Sequence, residues 1–558
     1  MKKIKNNIIW LFAMMIVISS CETTELDLLS DPNAPVPEAI DVNFTLNSIE
    51  LNFSEFFESV TSAGADAVRL EYMFDTYEAN FNNTNADLSG AWTTAYAGIL
   101  KDVDAVTRLS EEGGDFYVQA GIAKIIRAYT LMTLVDYFGP VPLSEALQGE
   151  TGVVFPNTDA PEDVYAAALQ DLNDALADFA LTTLNPPTTD LLYGTDTAKW
   201  TKLVNTLKLK YYLNTRLINQ AEAATEIQTL ITEDNFISSS DDNFLWRAVS
   251  SNLPQSRHQY YIDEYLAAST GDYISNYLMW TLTVEKGIDD PRLRYYVYRQ
   301  VDAFPTDPAT LDNEIDCWND PRPASYGPID MISAAPLPFC SLFGRGDGYW
   351  GRDHAEADGI PPDNSKRATY GVYPAGGKFD DDDAEDIDPG DGLDGAGIWP
   401  IMTDSFVAFM RAEAALYLGT TDDARMMLET GIRASIANVT GFLPNPGDFT
   451  NIPTATDIDD YVTAALALYD AAASDDERMN VIGKEYWISL FGNGVEAYNL
   501  YRRTGAPNNL QPTLLGTGSF PRSFLYPNVV VDRNPNIQQK ADLTVQTFWD
   551  NNPAGFIQ

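Results

Sequence analysis

The chain has 558 residues, with 81 acidic and 35 basic side chains, a formal net charge of −46 at neutral pH and two histidines. So acidic a surface repels nucleic acid and anionic headgroups, and two histidines argue against a zinc centre with several imidazole ligands and against a Ser-His-Asp triad. Hydrophobic residues make up 45% and aromatics 12% of the chain, which suits a large buried core and excludes general disorder.

The first residues read as an export signal. Lys2, Lys3 and Lys5 precede an unbroken apolar run from Ile8 to Ile18, IIWLFAMMIVI. A run of 11 residues is shorter than the roughly 20 that span a bilayer core, and it matches the apolar segment of a signal peptide. Ser19, Ser20 and Cys21 follow, and Ile-Ser-Ser-Cys resembles a bacterial lipobox. That resemblance implies cleavage after residue 20 and acylation of the Cys21 thiol. The expected organisation is a signal peptide over 1–20, a tether over 21–42 and a single folded domain over 43–558. Pro32, Pro35 and Pro37 keep the tether from being helical. No second apolar run of membrane length follows, so the membrane is expected to be reached by the lipid anchor only. Without residues 1–20 the three lysines are lost and the net charge becomes −49. Cys317 and Cys340 remain as an even pair in an exported chain and are expected to form a disulfide, although two buried free thiols fit the sequence as well.

The body reads mainly as helices. Ile122, Ile125, Tyr129, Met132 and Val135 share one face of a helix that ends at YFGPVP. Tyr165, Leu169, Leu172, Leu176 and Phe179 share another, with Pro161, Glu162 and Asp163 at its start. Thr197 is the expected N-cap of a helix carrying Trp200, Leu203, Leu207 and Tyr211. Between about 235 and 400 the periodicity fades, and Gly, Pro, Asp and aromatic residues dominate. Long loops on a rigid scaffold tend to carry function. Tyr349, Trp350, Tyr370, Tyr373 and Phe379 make this stretch too aromatic for a disordered insertion. Residues 404 to 437 read as a hairpin of two helices, stopped at Gly419 and restarted at Thr421, Asp422 and Asp423. A last long helix is expected over roughly 477 to 502. The stretch AEAALYLGTTDDARMMLETGI resembles one tetratricopeptide unit, and several helix pairs in one chain point to a helical-repeat scaffold.

No GxSxG elbow, Walker loop or HExxH occurs, and with 81 acids a pair of carboxylates at glycosidase spacing carries no information. Within DIDPGDGLDG, the residues Asp386, Asp388, Asp391 and Asp394 are a candidate structural calcium site. Their register is not that of an EF-hand, and a solvated acidic loop is the default expectation.

Several segments together resemble the SusD/RagB family of outer-membrane nutrient-binding lipoproteins, in its SusD-like branch. They are the lipobox with LDLLSDPN after it, AWTTAYAGI at 91–99, RAYTLMTLVDYFGPVPLSEAL at 127–147 and DDPRL at 289–293. GRGDGYWGRDH at 344–354, RATYGVYPAGGKFD at 367–380, RAEAALYLG at 411–419 and NGVEAYNLYRRTGAPNN at 493–509 complete the set. The resemblance implies a mainly α fold, with a tetratricopeptide-like scaffold of about four helix pairs, a large loop-rich half over about 235–400 and short hairpins. It implies no enzyme and no cofactor. The implied role is a lid that captures an oligosaccharide, or alternatively a peptide or other oligomer, for a SusC-like TonB-dependent transporter on the outer face of the outer membrane. Glu22 and Glu25 resemble the acids that send such lipoproteins to the surface. A lipid-anchored glycoside hydrolase is the remaining alternative. Rings that stack on sugars with polar neighbours are expected in the loop-rich half. The candidates are Trp246, Tyr260, Tyr261, Trp318, Tyr349 and Trp350, with Arg257 and Arg352 as donors.

Overall fold

A computed structural model describes residues 41–266, 273–302, 348–349, 351–357, 367–515 and 518–557. Cys21, Cys317, Trp318, Cys340 and Trp350, and with them the signal, nearly all of the tether and the disulfide, lie outside the described residues. The fold is mostly helical.

Helix α1 (Val42–Ala67) starts at Asp41, whose carboxylate accepts from the backbone N–H groups of Asn43 and Phe44. Leu46, Ile49, Phe53, Phe57 and Val60 recur every three to four residues and are buried. Helix α2 (Ala86–Thr93) runs through a π-helical stretch, Thr94–Leu100, into α3 (Lys101–Leu109). Then come α4 (Tyr117–Phe138), α5 (Pro161–Phe179), α6 (Thr197–Thr215), α7 (Gln220–Glu233) and α8 (Asn276–Thr283). The C-terminal part supplies α9 (Asp404–Leu418), α10 (Ala424–Thr440), α11 (Ala455–Ala471), α12 (Asp475–Ser489) and α13 (Gly494–Thr504). The pairs α4–α5, α6–α7, α9–α10 and α11–α12 pack side by side, and α5–α6, α9–α12 and α10–α11 join successive pairs. This is the tetratricopeptide-like scaffold the resemblance implied.

Three expectations about helices need correction. The apolar face assigned to α4 is too narrow: nearly every residue from Val118 to Phe138 is buried, because α1, α3, α5 and α6 surround the helix. It is apolar and long enough to cross a membrane, yet 94% of its most apolar window lies inside the protein, as in a core helix. The cap of α6 is Asp196 and not Thr197; the Asp196 carboxylate accepts from Ala198 and Lys199 backbone N–H groups. The expected long helix over 477–502 is two helices, α12 and α13. Gly492 breaks it at φ +95°, and Asn493 caps the new start by accepting from the Glu496 N–H.

The loop-rich half is closed by two short antiparallel ladders. β1 (Phe244–Arg247) pairs with β4 (Ile398–Met402), placing Trp246 opposite Trp399. β2 (Val297–Tyr298) pairs with β3 (Thr369–Tyr370). The motif RATYGVYPAGGKFD threads between them. A Cβ at Gly371 would overlap the Tyr295 carbonyl oxygen, and one at Gly377 would overlap the Tyr265 hydroxyl. At the end of the motif, the buried Asp380 carboxylate accepts from Arg299 Nε at 2.6 Å and Nη2 at 2.9 Å and from the Tyr349 hydroxyl at 2.8 Å. The aromatics of this half are core residues: Tyr349, Tyr370, Tyr373 and Phe379 are all buried and continue the hydrophobic core of the helical half, Tyr370 against Phe491 and Tyr373 against Phe442.

Candidate functional site

A cleft of about 490 Å³ lies at the seam between the scaffold and the loop-rich half. One wall comes from the last turns of α1, through Glu58, Ser59, Ser62 and Asp66, and from the segment after it, through Glu71, Tyr72, Phe74, Asn80 and Asp87. The opposite wall comes from Gln259, Tyr260, Asp263 and Tyr273, and Tyr370 of β3 and Trp399 of β4 complete the lining.

The rings are held in place by one another. Tyr260 stacks on Tyr370 with centroids 4.2 Å apart and planes 12° from parallel, and it meets Trp399 edge-on at 5.0 Å. His258 covers Trp399 at 3.9 Å. Tyr72 and Tyr273 meet edge-on at 5.6 Å, and the Tyr72 hydroxyl donates to the Glu356 carbonyl at 2.6 Å. The Tyr260 hydroxyl donates to the Glu71 carboxylate. Phe74 differs from these rings: it is 51% exposed and open to solvent at the cleft.

The acids are perturbed by their surroundings. Burial, reinforced by Asp263, Glu55 and Asp87, pushes the Glu58 carboxyl up to about 7, so near neutral pH it can donate as well as accept. Burial also raises Asp87. The His258 imidazole, fully buried, is pushed down to about 3 and stays neutral. The cleft thus combines one solvent-facing ring, Phe74, backed by buried aromatics, with carboxyl and amide groups, an arrangement suited to a ligand with an apolar face edged by hydroxyl or amide hydrogens.

The model of the SusD-like family, described as starch-binding and associating with the outer membrane, matches residues 33–308 and 351–527. The chain belongs to the SusD-like family. A search of the curated proteins finds no match. Among solved structures, this SusD-like chain is similar to a SusD/RagB family protein from Bacteroides thetaiotaomicron, at 18% identity and a TM-score of 0.67, covering 92% of this chain and 100% of that one. It is similar to a structure named a chitin-binding protein, at 20% identity and a TM-score of 0.65, covering 91% and 99%. A chitin-binding SusD homologue from Flavobacterium johnsoniae matches at 17% identity and a TM-score of 0.62, covering 92% and 99%. At these identities the likeness is one of fold.

Of the site residues expected from the sequence of this SusD-like protein, Tyr260 alone among those described lines the cleft. Trp246 lies next to it, half-buried opposite Trp399. Arg352 backs the cleft: its guanidinium covers the Tyr273 ring at 4.4 Å and lies 3.8 Å from Glu356. Two of the expected rings belong to the interior. Tyr349 is tied to Asp380, with Arg299 over its ring at 4.6 Å. Tyr261 stacks on Tyr265 at 4.5 Å and accepts from the Gly390 N–H at 2.9 Å. Arg257 is a strut for the acidic loop, 3.0 Å from the Asp394 carboxylate.

The four aspartates proposed for calcium do not converge. Asp394 faces Arg257, and the Asp391 carboxylate caps the Asp388 N–H at 2.8 Å. Among the described residues, no group of three or more His, Cys, Asp or Glu side chains is placed to hold a metal ion. Sequence reasoning missed Tyr72, Phe74, Tyr273, Trp399 and all the cleft acids. One signal was available: in EYMFDTYEANF, directly after a long amphipathic helix, Tyr72 and Phe74 are two residues apart, a spacing that departs from the helical period.

Proposed function

We propose that this SusD-like protein is a cell-surface lipoprotein of the outer membrane, anchored through Cys21, that captures oligosaccharides. In this reading it hands them, as a lid, to a SusC-like TonB-dependent transporter. The observation that carries it is the aromatic cleft, set in the fold of a family described as starch-binding and associating with the outer membrane. The two chitin-binding structural neighbours support a glycan ligand. Phe74 supplies a solvent-facing ring for the apolar face of a sugar, and Glu58, Asn80, Asp87 and Gln259 supply partners for hydroxyls. The role is capture without turnover.

The test is calorimetric titration of the mature chain with chitin oligosaccharides, malto-oligosaccharides and short peptides. The expected result is saturable binding of an oligosaccharide that Phe74→Ala weakens, with the sugar recovered intact after prolonged incubation. Binding of peptides alone would move the ligand class to the peptide alternative. Shortened sugars after incubation with pure protein would make the chain a hydrolase.

A further inference from the structure

A second cavity, of about 340 Å³, lies within the helical half and shares no lining residue with the aromatic cleft. It is formed where α6, α9, α12 and α13 end or begin, and Arg216, Tyr417, Asn480, Asn508, Asn552 and Phe556 line it. Its wall is built on one carboxylate shared by two guanidinium groups. Glu413 is fully buried and accepts from Arg503 Nε at 2.7 Å and Nη2 at 2.8 Å, and from Arg216 Nε at 2.9 Å. Burial alone would raise its pKa; Arg503 and Arg216 outweigh burial and lower it, so Glu413 is ionised.

The two arginines are not equivalent. Arg503 is saturated, since its third nitrogen donates to Asn214 at 2.7 Å. Among the described residues Arg216 donates only through Nε, to Glu413; its two terminal nitrogens make no hydrogen bond there, although its side chain is only 9% exposed. The Tyr417 ring, 4.7 Å from the guanidinium carbon, holds that group flat. Asn480 uses its carbonyl oxygen on the Asn508 N–H, and Asn552 uses its amide nitrogen on the Arg502 carbonyl. Among the described residues the Asn480 amide nitrogen and the Asn508 side chain have no partner. Phe556 stands 39% exposed beside them.

The buried charges here are two cations against one carboxylate. Asp476 also lines the cavity, but it lies exposed, where water screens its charge, and its carboxylate takes the Tyr417 hydroxyl at 2.9 Å. A shielded positive excess with two unused N–H-bearing nitrogens is unusual in a chain of net charge −46. A guanidinium edge of this kind matches a carboxylate through two parallel hydrogen bonds.

We propose that this cavity is a second ligand site for a small carboxylate of about monosaccharide size. The carboxylate pairs with the free edge of Arg216, its polar groups meet Asn480 and Asn508, and its body rests on Phe556. The probes are D-glucuronate, D-glucose and N-acetylalanine, titrated by calorimetry and ligand-observed NMR into the mature chain. Glucuronate should bind saturably, and glucose on the order of tenfold more weakly or not at all. Equal binding of N-acetylalanine supports the carboxylate site and assigns it to a peptide end instead of a sugar acid.

Asn508→Ala removes a side chain without partners, and Arg216→Lys keeps the charge beside Glu413 while losing the two-nitrogen edge. Each should weaken glucuronate on the order of tenfold at an unchanged melting temperature. The proposal is overturned if glucose binds as well as glucuronate, if neither carboxylate binds, or if both variants bind like the parent chain.

Discussion

Phe74 and Tyr260 line the same cleft, yet physical chemistry assigns them different tasks. Phe74 is half-exposed, whereas Tyr260 is buried among Tyr370, Trp399 and Glu71. Removing Phe74 should therefore cost ligand affinity of about 1–3 kcal/mol, as for other interface anchors, and leave the melting temperature nearly unchanged. Tyr261→Ala and Tyr349→Ala remove buried rings and should lower stability by about 3–5 kcal/mol without a selective loss of affinity. Melting curves beside titrations decide this; a stable Tyr349→Ala with weakened binding would return that ring to the site.

Glu50 on α1 offers a test in pH. It is fully buried beside Asp190, and burial first, then the Asp190 charge, pushes its carboxyl up to about 9 from 4.5. The folded chain thus keeps a proton that the unfolded chain releases above about 4.5. This contribution to stability is fully present below that pH and is lost as pH rises towards 9. Glu50→Gln cannot ionise and keeps an N–H for Asp190. Its stability should fall less steeply than the parent's between about pH 5 and 9, and it should be the more stable of the two at pH 8. Equal slopes in urea titrations across this range would remove Glu50 as the cause.

At the level of elements, the break between α12 and α13 matters more than either helix alone. It turns α13 onto α1, where Gly64 and Gly494 face each other. A Cβ at Gly494 would overlap the Thr61 carbonyl oxygen and the Ala65 nitrogen, and a Cβ at Gly64 would overlap the Gly494 carbonyl. Backbone cannot yield as a flexible side chain does. Gly494→Ala should therefore destabilise by about 1–3 kcal/mol or more, read as a lower urea midpoint. An unchanged midpoint would mean that the two helices can slide apart at little cost. Gly64 and Gly494 lie far apart in sequence, and nothing in either local pattern announces their contact.

For the whole molecule, the proposal of a lipid-anchored capture protein depends on Cys21. Cys21→Ala should release the protein from membranes, because the 11 apolar residues before it are shorter than a bilayer core. Fractionation and metabolic labelling with a fatty acid check this; a membrane-bound, unacylated variant would require another anchor. The described body should also give a far-UV circular dichroism spectrum dominated by helix.

Helices were legible because the apolar period of 3.6 residues is local, and the pairs α4–α5 and α9–α10 stand where the spacing of Tyr165 to Phe179 and of the 404–437 hairpin put them. Family membership was legible because many short segments recur in order along the chain, from AWTTAYAGI to NGVEAYNLYRRTGAPNN. The use of each ring was not legible. Tyr261 and Tyr349 come from a stretch whose sequence lacks helical periodicity, as an exposed binding ring would, yet both are buried, Tyr261 against Tyr265 and Tyr349 against Arg299 and Asp380, partners distant from Tyr349 in sequence. The cleft was hidden for the same reason: its walls come from residues 58–87 and 259–273, with 370 and 399, which meet only after the chain has folded. Amphipathic period and motif order are properties of neighbours along the chain, so the sequence alone determined scaffold and family. Burial and cavity shape depend on contacts between distant segments, and these the tertiary structure decided.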